Sequence, residues 1–87
     1  MDLHHYRVLI DRIDDEILRL FKERMEISLQ IANYKKENSL PVLDAAREEE
    51  KLACISEKAG EEMRSYSCRL FSALFELSRE YQTSEIL

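Results

Sequence analysis

The stretch that decides the fold is 3–34, LHHYRVLIDRIDDEILRLFKERMEISLQIANY. Its apolar residues recur at seven-residue spacing in two columns, which are Leu3, Ile10, Ile17 and Ile31 in one and Tyr6, Ile13, Leu20, Ile27 and Tyr34 in the other. Two turns of an α-helix take about seven residues, so both columns lie on one helix face. The pattern predicts a first helix of about 34 residues.

The rest of the chain also predicts helices. Pro41 cannot continue a helix, so residues 37–43 are expected to form a loop. Asp44 is a good N-cap for a short second helix that ends near Gly60, whose tolerance of positive φ suits a helix C-terminus. A third helix of medium length is expected over about 62–84, and its expected buried residues are Met63, Leu70, Phe71, Leu74, Phe75, Leu77 and Tyr81.

Composition supports an all-α fold in a single domain over residues 1–87. The chain has one glycine and one proline, and no stretch alternates between apolar and polar residues, so hairpins and sheets are not expected. The net charge of −5 argues against binding to nucleic acid or to anionic membranes, which both require a basic surface. The first residues lack the features of a signal peptide, and no apolar run reaches about 18 residues, so a cytoplasmic location is expected.

The cysteines and histidines do not suggest a metal site. Cys54 and Cys68 lie fourteen positions apart, which fits neither zinc-ligand spacing nor a disulfide framework, and packed, reduced thiols are the better interpretation. His4 and His5 point about 100° apart on a helix and have no acidic or thiol cluster beside them.

The length of the first helix predicts a homodimer. A helix of about 34 residues extends about 50 Å, whereas a compact chain of this size has a radius of gyration of about 12 Å. The uncovered part is expected to pack against a second copy, most simply with the first helices antiparallel around a two-fold axis. An ordinary helical dimerisation module would show the same periodicity.

Cations interrupt the apolar face. Arg24 occupies the column of Leu3, where an unpaired guanidinium is costly to desolvate, and Lys35 follows three turns later on the same face. The two could clamp an anion. Taken singly, Arg24 could extend its charged group to the rim, and Lys35 could be stabilised by the helix dipole near the C-terminus of the helix. Arg7 lies about 25 Å before Arg24 along the axis, so only the partner's Arg7 could reach the same ligand. Alone, it is an ordinary exposed arginine.

Two further groups of polar residues lie in the later helices. Asp44, Arg47 and Glu48 share one face at the start of the second helix, where Arg47 opposes the helix dipole unless an anion is near. Ser78 and Gln82 lie one turn apart on the third helix, one heptad after aromatic residues. They are expected either to be buried with partners or to fray into solvent.

These residues resemble, in identity and spacing, the active-site set of the all-helical AroQ-class chorismate mutases. The ordered set is Arg-x16-Arg-x10-Lys, then Asp-x2-Arg-Glu after a proline-containing loop, then Ser-x3-Gln, and its members are Arg7, Arg24, Lys35, Asp44, Arg47, Glu48, Ser78 and Gln82. The runs IDDEIL at 13–18 and RLF at 69–71 also resemble the family. The similarity covers the chain from about Leu3 to Tyr81.

The resemblance implies an intertwined homodimer of three-helix subunits that rearranges chorismate to prephenate in phenylalanine and tyrosine biosynthesis, without metal or organic cofactor. It implies that Arg24, Arg47 and the partner's Arg7 bind the substrate carboxylates, with Ser78 assisting. It also implies that Lys35 and Gln82 donate to the ether oxygen. Glu48 would accept from the ring hydroxyl, and Asp44 would shape that end of the site.

Alternative functions remain at this point. Isochorismate pyruvate lyases share the implied fold and the cationic clamp, and a non-catalytic dimerisation or regulatory module would share the helices alone. Arg24 in the apolar column counts against the last of these. The chain could be a free-standing mutase or a piece of a bifunctional enzyme.

Overall fold

The structure, a computed structural model, describes residues 2–86, so the terminal residues Met1 and Leu87 of the predicted domain lie outside it. It contains two helices, α1 (Leu3–Glu37) and α2 (Ala45–Ile86), which are joined by residues 38–44. No strand occurs within residues 2–86. The all-α prediction and the loop after the first helix are therefore confirmed, with the loop shifted by one residue.

Both helices begin at an aspartate whose side chain satisfies a free backbone N–H. The Asp2 carboxylate accepts from the backbone N–H of His5 at 2.9 Å, and the Asp44 carboxylate accepts from that of Arg47 at 3.0 Å. The first N–H groups of a helix have no partner inside the helix, so such caps typically stabilise it by about 1 kcal/mol. At the other end of α1, the Asn38 side chain donates to the carbonyl of Tyr34 at 2.8 Å. These contacts determine where the loop lies.

The prediction of three separate helices is wrong in number, because no loop separates the second from the third. Helical structure runs from Ala45 to Ile86, and Gly60 (φ 80°, ψ 164°) is the residue inside it with non-helical backbone angles. The physical reason is that Gly60 alone makes the break that was expected between the second and third helices. Its backbone conformation is one that few residues other than glycine can adopt. The helical structure also extends two residues beyond the expected end at Ser84.

The chain reverses direction at Gly60, so α2 has a first arm (45–59) and a second arm (61–86) that lie side by side. The Cys68 thiol is 3.9 Å from the carbonyl of Leu52, and the Arg79 guanidinium is 2.5 Å from the carboxylate of Glu48. Residues separated by 31 positions in a straight helix would be about 46 Å apart. The reversal brings the start and the end of α2 to the same region.

A single chain buries little apolar surface. Among residues 2–86 the buried apolar residues are Ala32 and Phe75, where the last third of α1 meets the second arm of α2. The apolar columns before that point are about half exposed, as at Ile10 (55%), Ile13 (54%) and Ile17 (57%). Several residues expected in the core of the third helix are likewise exposed here, namely Met63, Leu70 and Leu77. They are exposed because no other element within residues 2–86 covers them.

The overall dimensions agree with this incomplete burial. The radius of gyration is 16.1 Å, against about 12 Å for a compact chain of 87 residues. The solvent-accessible surface is 7106 Å², against about 5,400 Å² for a folded monomer of 10.3 kDa. The chain therefore leaves about 1,700 Å² more surface exposed than an ordinary monomer of its mass.

Replacing Gly60 with alanine is expected to destabilise the protein by about 1–3 kcal/mol, because its backbone angles lie in a region essentially restricted to glycine. Apart from Gly60, its chain neighbours and the adjacent helix backbone, no heavy atom lies within 4 Å of the added Cβ, so the cost would come from the backbone angles. Urea unfolding at one fixed protein concentration measures it. The control is Glu61→Ala at the exposed neighbouring position, expected within about 0.5 kcal/mol of wild type. Equal midpoints for the two variants would contradict this account.

Candidate functional site

A cleft of about 370 Å³ lies between the last third of α1, the loop after it and both arms of α2. Its lining includes seven of the eight predicted site residues, which are Arg24, Lys35, Asp44, Arg47, Glu48, Ser78 and Gln82. The two parts of α2 contribute to one cleft because the chain reverses at Gly60.

Arg7 does not line this cleft. It is exposed on the first turns of α1, about 25 Å along the helix axis from Arg24. This is the separation expected from the sequence, and within a single chain it keeps Arg7 away from the other predicted residues.

The lining also includes residues that the sequence did not predict for the site, namely Ser28, Ile31, Val42, Lys51, Phe75 and Arg79. Ser28 follows Arg24 by four positions, so helical spacing alone could have placed it on the same face. Arg79 precedes Gln82 by three positions, so helical spacing could have placed it beside that predicted residue, although it points about 100° away from the adjacent Ser78.

Arg24 reaches α2 through a hydrogen bond and an aromatic ring. Its Nη1 donates to the Ser78 hydroxyl at 2.6 Å, and its guanidinium carbon lies 5.6 Å from the centre of the Phe75 ring. A cation at this distance from an aromatic face is attracted to it. Among residues 2–86 no carboxylate forms an ion pair with Arg24. Its charge is therefore positioned but not neutralised.

Ser28, Ser78 and Gln82 form a buried polar group beneath Arg24, and each is at most 8% exposed. The Gln82 amide nitrogen donates to the backbone carbonyl of Ser28 at 2.8 Å, and the Ser28 hydroxyl donates to that of Ser78 at 3.3 Å. Ser78 and Gln82 are thus buried with partners and do not fray into solvent. Because the amide nitrogen, and not the oxygen, must face the carbonyl, this contact determines the orientation of the Gln82 amide.

Lys35 connects the end of α1 to the loop. Its ammonium group donates to the backbone carbonyl of Val42 at 2.9 Å, and the side chain is partly buried. An ammonium group has three N–H donors, so two remain for a ligand in the cleft.

The first arm of α2 supplies the acidic side of the cleft. The Asp44 carboxylate caps the helix, while that of Glu48 forms an ion pair with Arg79 of the second arm. Arg47 lies 3.8 Å from Glu50 in a solvent-exposed pair, which leaves its guanidinium available.

The cleft is positively charged although the chain is acidic. Its lining includes Arg24, Lys35, Arg47, Lys51 and Arg79 against the carboxylates of Asp44 and Glu48, whereas the whole chain has a net charge of −5. Oriented cations in a concave site attract anions and strengthen their binding. This arrangement suits a small molecule with more than one negative charge.

Other features of residues 2–86 lie outside the cleft. The hydrogen bond and charge of Arg19 lower the pKa of the exposed Glu16 carboxyl on α1. Cys54 and Cys68 are free thiols. In this part of the chain no group of three or more His, Cys, Asp or Glu side chains could hold a metal ion. Neither helix contains a stretch long and apolar enough to cross a membrane.

Comparison with known proteins identifies the family. The family model for chorismate mutase type II matches residues 6–83, a range that contains all eight predicted site residues. Searches of curated proteins and of solved structures gave no significant match. The match spans nearly the whole chain and agrees with the all-helical fold and with the residues that line the cleft. The chain therefore belongs to the chorismate mutase type II family, the all-helical AroQ class of isomerases.

Proposed function

We propose that the cationic cleft binds chorismate and rearranges it to prephenate, and that each cleft is completed by the partner's Arg7 in a homodimer. The observation that carries this proposal is the meeting of seven predicted residues, from three separate parts of the chain, at one cleft. One of the seven, Arg24, has no carboxylate partner among residues 2–86. A dianionic substrate supplies the missing negative charge.

The reaction is an intramolecular Claisen rearrangement, in which a carbon–oxygen ether bond breaks while a carbon–carbon bond forms. The protein needs no nucleophile and no general base for this step, only the correct substrate conformer and a suitable charge distribution. Arg24 and Arg47, assisted by Ser78, would bind the two carboxylates and hold the enolpyruvyl arm over the ring. Guanidinium groups suit this role because they bind carboxylates through paired, charge-assisted hydrogen bonds.

Negative charge grows on the ether oxygen as its bond to the ring breaks, and Lys35 and Gln82 would donate to it. Each side chain is already held by one hydrogen bond, Lys35 to the Val42 carbonyl and Gln82 to the Ser28 carbonyl. The remaining N–H groups can therefore face the cleft with little reorganisation. Donors oriented in advance toward developing charge are usually the largest single contribution to catalysis.

At the start of α2, Glu48 would accept a hydrogen bond from the ring hydroxyl, and Asp44 would shape the same end of the site. Both carboxylates line the cleft in the first turn of α2 or next to it, where the positive end of the helix dipole favours negative charge.

Three observations support the dimer. The columns of α1 before Arg24 are exposed, the chain has more surface than a monomer of its mass, and Arg7 lies outside the cleft. In an antiparallel pair of α1 helices with the two-fold axis near Ile17, symmetry places Arg7 opposite position 27 of the partner. That position lies between Arg24 and Lys35. The pairing would thus bury the exposed columns and complete each cleft.

Two simpler parts of the proposal concern organisation and location. We propose that residues 1–87 form one domain, because both helices contribute to the same small core. We also propose a cytoplasmic location, which the two free thiols support because the cytoplasm keeps cysteines reduced.

The substrate can be tested directly. Incubation with chorismate is expected to consume it and give prephenate, while incubation with isochorismate is expected to give neither salicylate nor pyruvate. Loss of chorismate absorbance and chromatographic identification of products measure both reactions. Faster release of pyruvate from isochorismate than formation of prephenate from chorismate would assign the cleft to the lyase reaction.

The shared site can be tested by mixing two inactive variants. Arg7→Ala and Arg24→Ala are each expected to lose at least about 10²-fold in kcat/KM, because each removes a charged contact to a substrate carboxylate. After the two chains are unfolded together and refolded, half of the dimers carry one chain of each kind. One cleft in each mixed dimer has both arginines, so about a quarter of wild-type activity should return.

The control mixture combines Arg24→Ala with Arg24→Ala carrying a different tag, which should restore nothing. Native mass spectrometry confirms that mixed dimers form. Mixed dimers without recovered activity would show that Arg7 does not act in the partner's cleft.

Gln82→Glu is expected to move activity toward acid pH. The amide donates at any ordinary pH, whereas a carboxyl at this position donates only while protonated, so the rate should rise as the pH falls. The control is Gln30→Glu, which makes the same charge change at an exposed position on α1 and should keep the wild-type profile of rate against pH. If the profile of rate against pH of Gln82→Glu matches that of wild type, Gln82 does not donate to the ether oxygen.

A further inference from the structure

Arg79 is, with Lys51, a charged lining residue to which the proposed reaction assigns no role. It lies on the second arm of α2, beside the buried Ser78 and three positions before the buried Gln82. Its side chain is 34% exposed and reaches across to the first arm, where it pairs with Glu48. Arg79 therefore contacts Glu48, a proposed substrate-binding residue, at the end of the two arms that lies away from the turn at Gly60.

The contact between the two side chains has a specific geometry. Nη1 of Arg79 lies 2.5 Å from both carboxylate oxygens of Glu48, so a single nitrogen bridges the two oxygens. A carboxylate has about four lone-pair sites. The sites not facing Arg79 remain free, and Glu48 can still accept a hydrogen bond from a ligand.

The charges near Glu48 show why such a contact matters. An unpaired carboxylate in a cleft for a dicarboxylate would repel the substrate that it has to bind. The other charged groups that line the cleft are Arg24 and Lys35 from α1 and Asp44, Arg47 and Lys51 from the first arm of α2. Arg79 forms the ion pair with Glu48, whereas Arg24 pairs with no carboxylate among residues 2–86.

Fold stability alone does not explain the pair. Both side chains are partly exposed, at 34% and 28%, so solvent screens the ion pair and reduces its contribution to the stability of the fold. The two arms also have contacts nearer the turn, between Cys68 and Leu52 and between Arg64 and Ser56.

We propose that Arg79 is a positioning residue for the rearrangement: it orients the Glu48 carboxylate toward the substrate ring hydroxyl and offsets its charge against the substrate carboxylates. Arg79 has this role only if Glu48 accepts from the ring hydroxyl as proposed above. In this role it acts through Glu48 and not directly on the breaking or forming bond.

A double-mutant cycle with chorismate as substrate tests the role. Arg79→Met is expected to lower kcat/KM about tenfold to a hundredfold when Glu48 is present, because a misdirected or repelling carboxylate disturbs the reactive pose. In the Glu48→Gln background, the same change should cost less than about threefold, since no carboxylate is left to orient. Arg79→Lys should restore part of the loss, because it returns the charge without the planar fork.

Unfolding midpoints and the oligomeric state are measured for every variant, and Arg69→Met serves as the control because it removes an exposed arginine from the same arm outside the cleft. If Arg79→Met does not fold, Arg79→Gln replaces it in the cycle with the same expected coupling. Equal losses in both backgrounds would overturn the proposal and make Arg79 a direct substrate contact. Wild-type activity in Glu48→Gln would instead show that Glu48 has no role at the ring hydroxyl, and Arg79 would lose its role with it.

Discussion

The length of α1 is the constraint on which the rest of the molecule depends. Its 35 residues extend about 52 Å, close to the full 55 Å length of the chain's longest dimension. The two arms of α2 cover only its last third. The first two thirds present apolar columns to solvent, which in water favours association with another apolar face. The same length separates Arg7 from Arg24, so a site that needs both must draw on two copies of the helix.

Polar contacts, together with apolar burial, determine how α1 and α2 fit together. The buried residues where they meet include two serines and a glutamine beside one alanine and one phenylalanine. Their hydrogen bonds join Arg24 to Ser78, Ser28 to Ser78, and Gln82 to the Ser28 backbone. Such contacts are directional, so they specify a register and an orientation that apolar packing alone would leave looser. The groups that would bind the substrate are also groups that align the helices.

The sequence predicted those features that depend on positions near one another in the chain. Heptad spacing predicted α1, and the cap at Asp44 predicted the start of α2. The relation of Arg24 to Lys35 followed from helix geometry alone. Assembly of the other predicted residues at the cleft required the family resemblance, because their separation in the chain carries no distance information.

The features that the sequence did not predict depend on tertiary structure. Gly60 was correctly marked as a breaking point, but composition could not show that one residue would reverse the chain without a loop. The sequence does not indicate the ion pair of Arg79, because its partner Glu48 lies 31 positions earlier and comes close only after that reversal. Ser78 and Gln82 do not fray into solvent because they are buried against α1, and no local sequence pattern encodes that burial.

The polar character of the small core has a further consequence for how such a protein can change. In most domains the interior and the binding site are separate, so the interior can be repacked while the site is kept. Under the proposed function the same side chains would serve both purposes, and a bound dianion would complete the interior. A substitution that improves helix packing in this region would then remove a ligand contact, whereas exposed positions outside the cleft and outside the apolar columns of α1 would remain free to diverge.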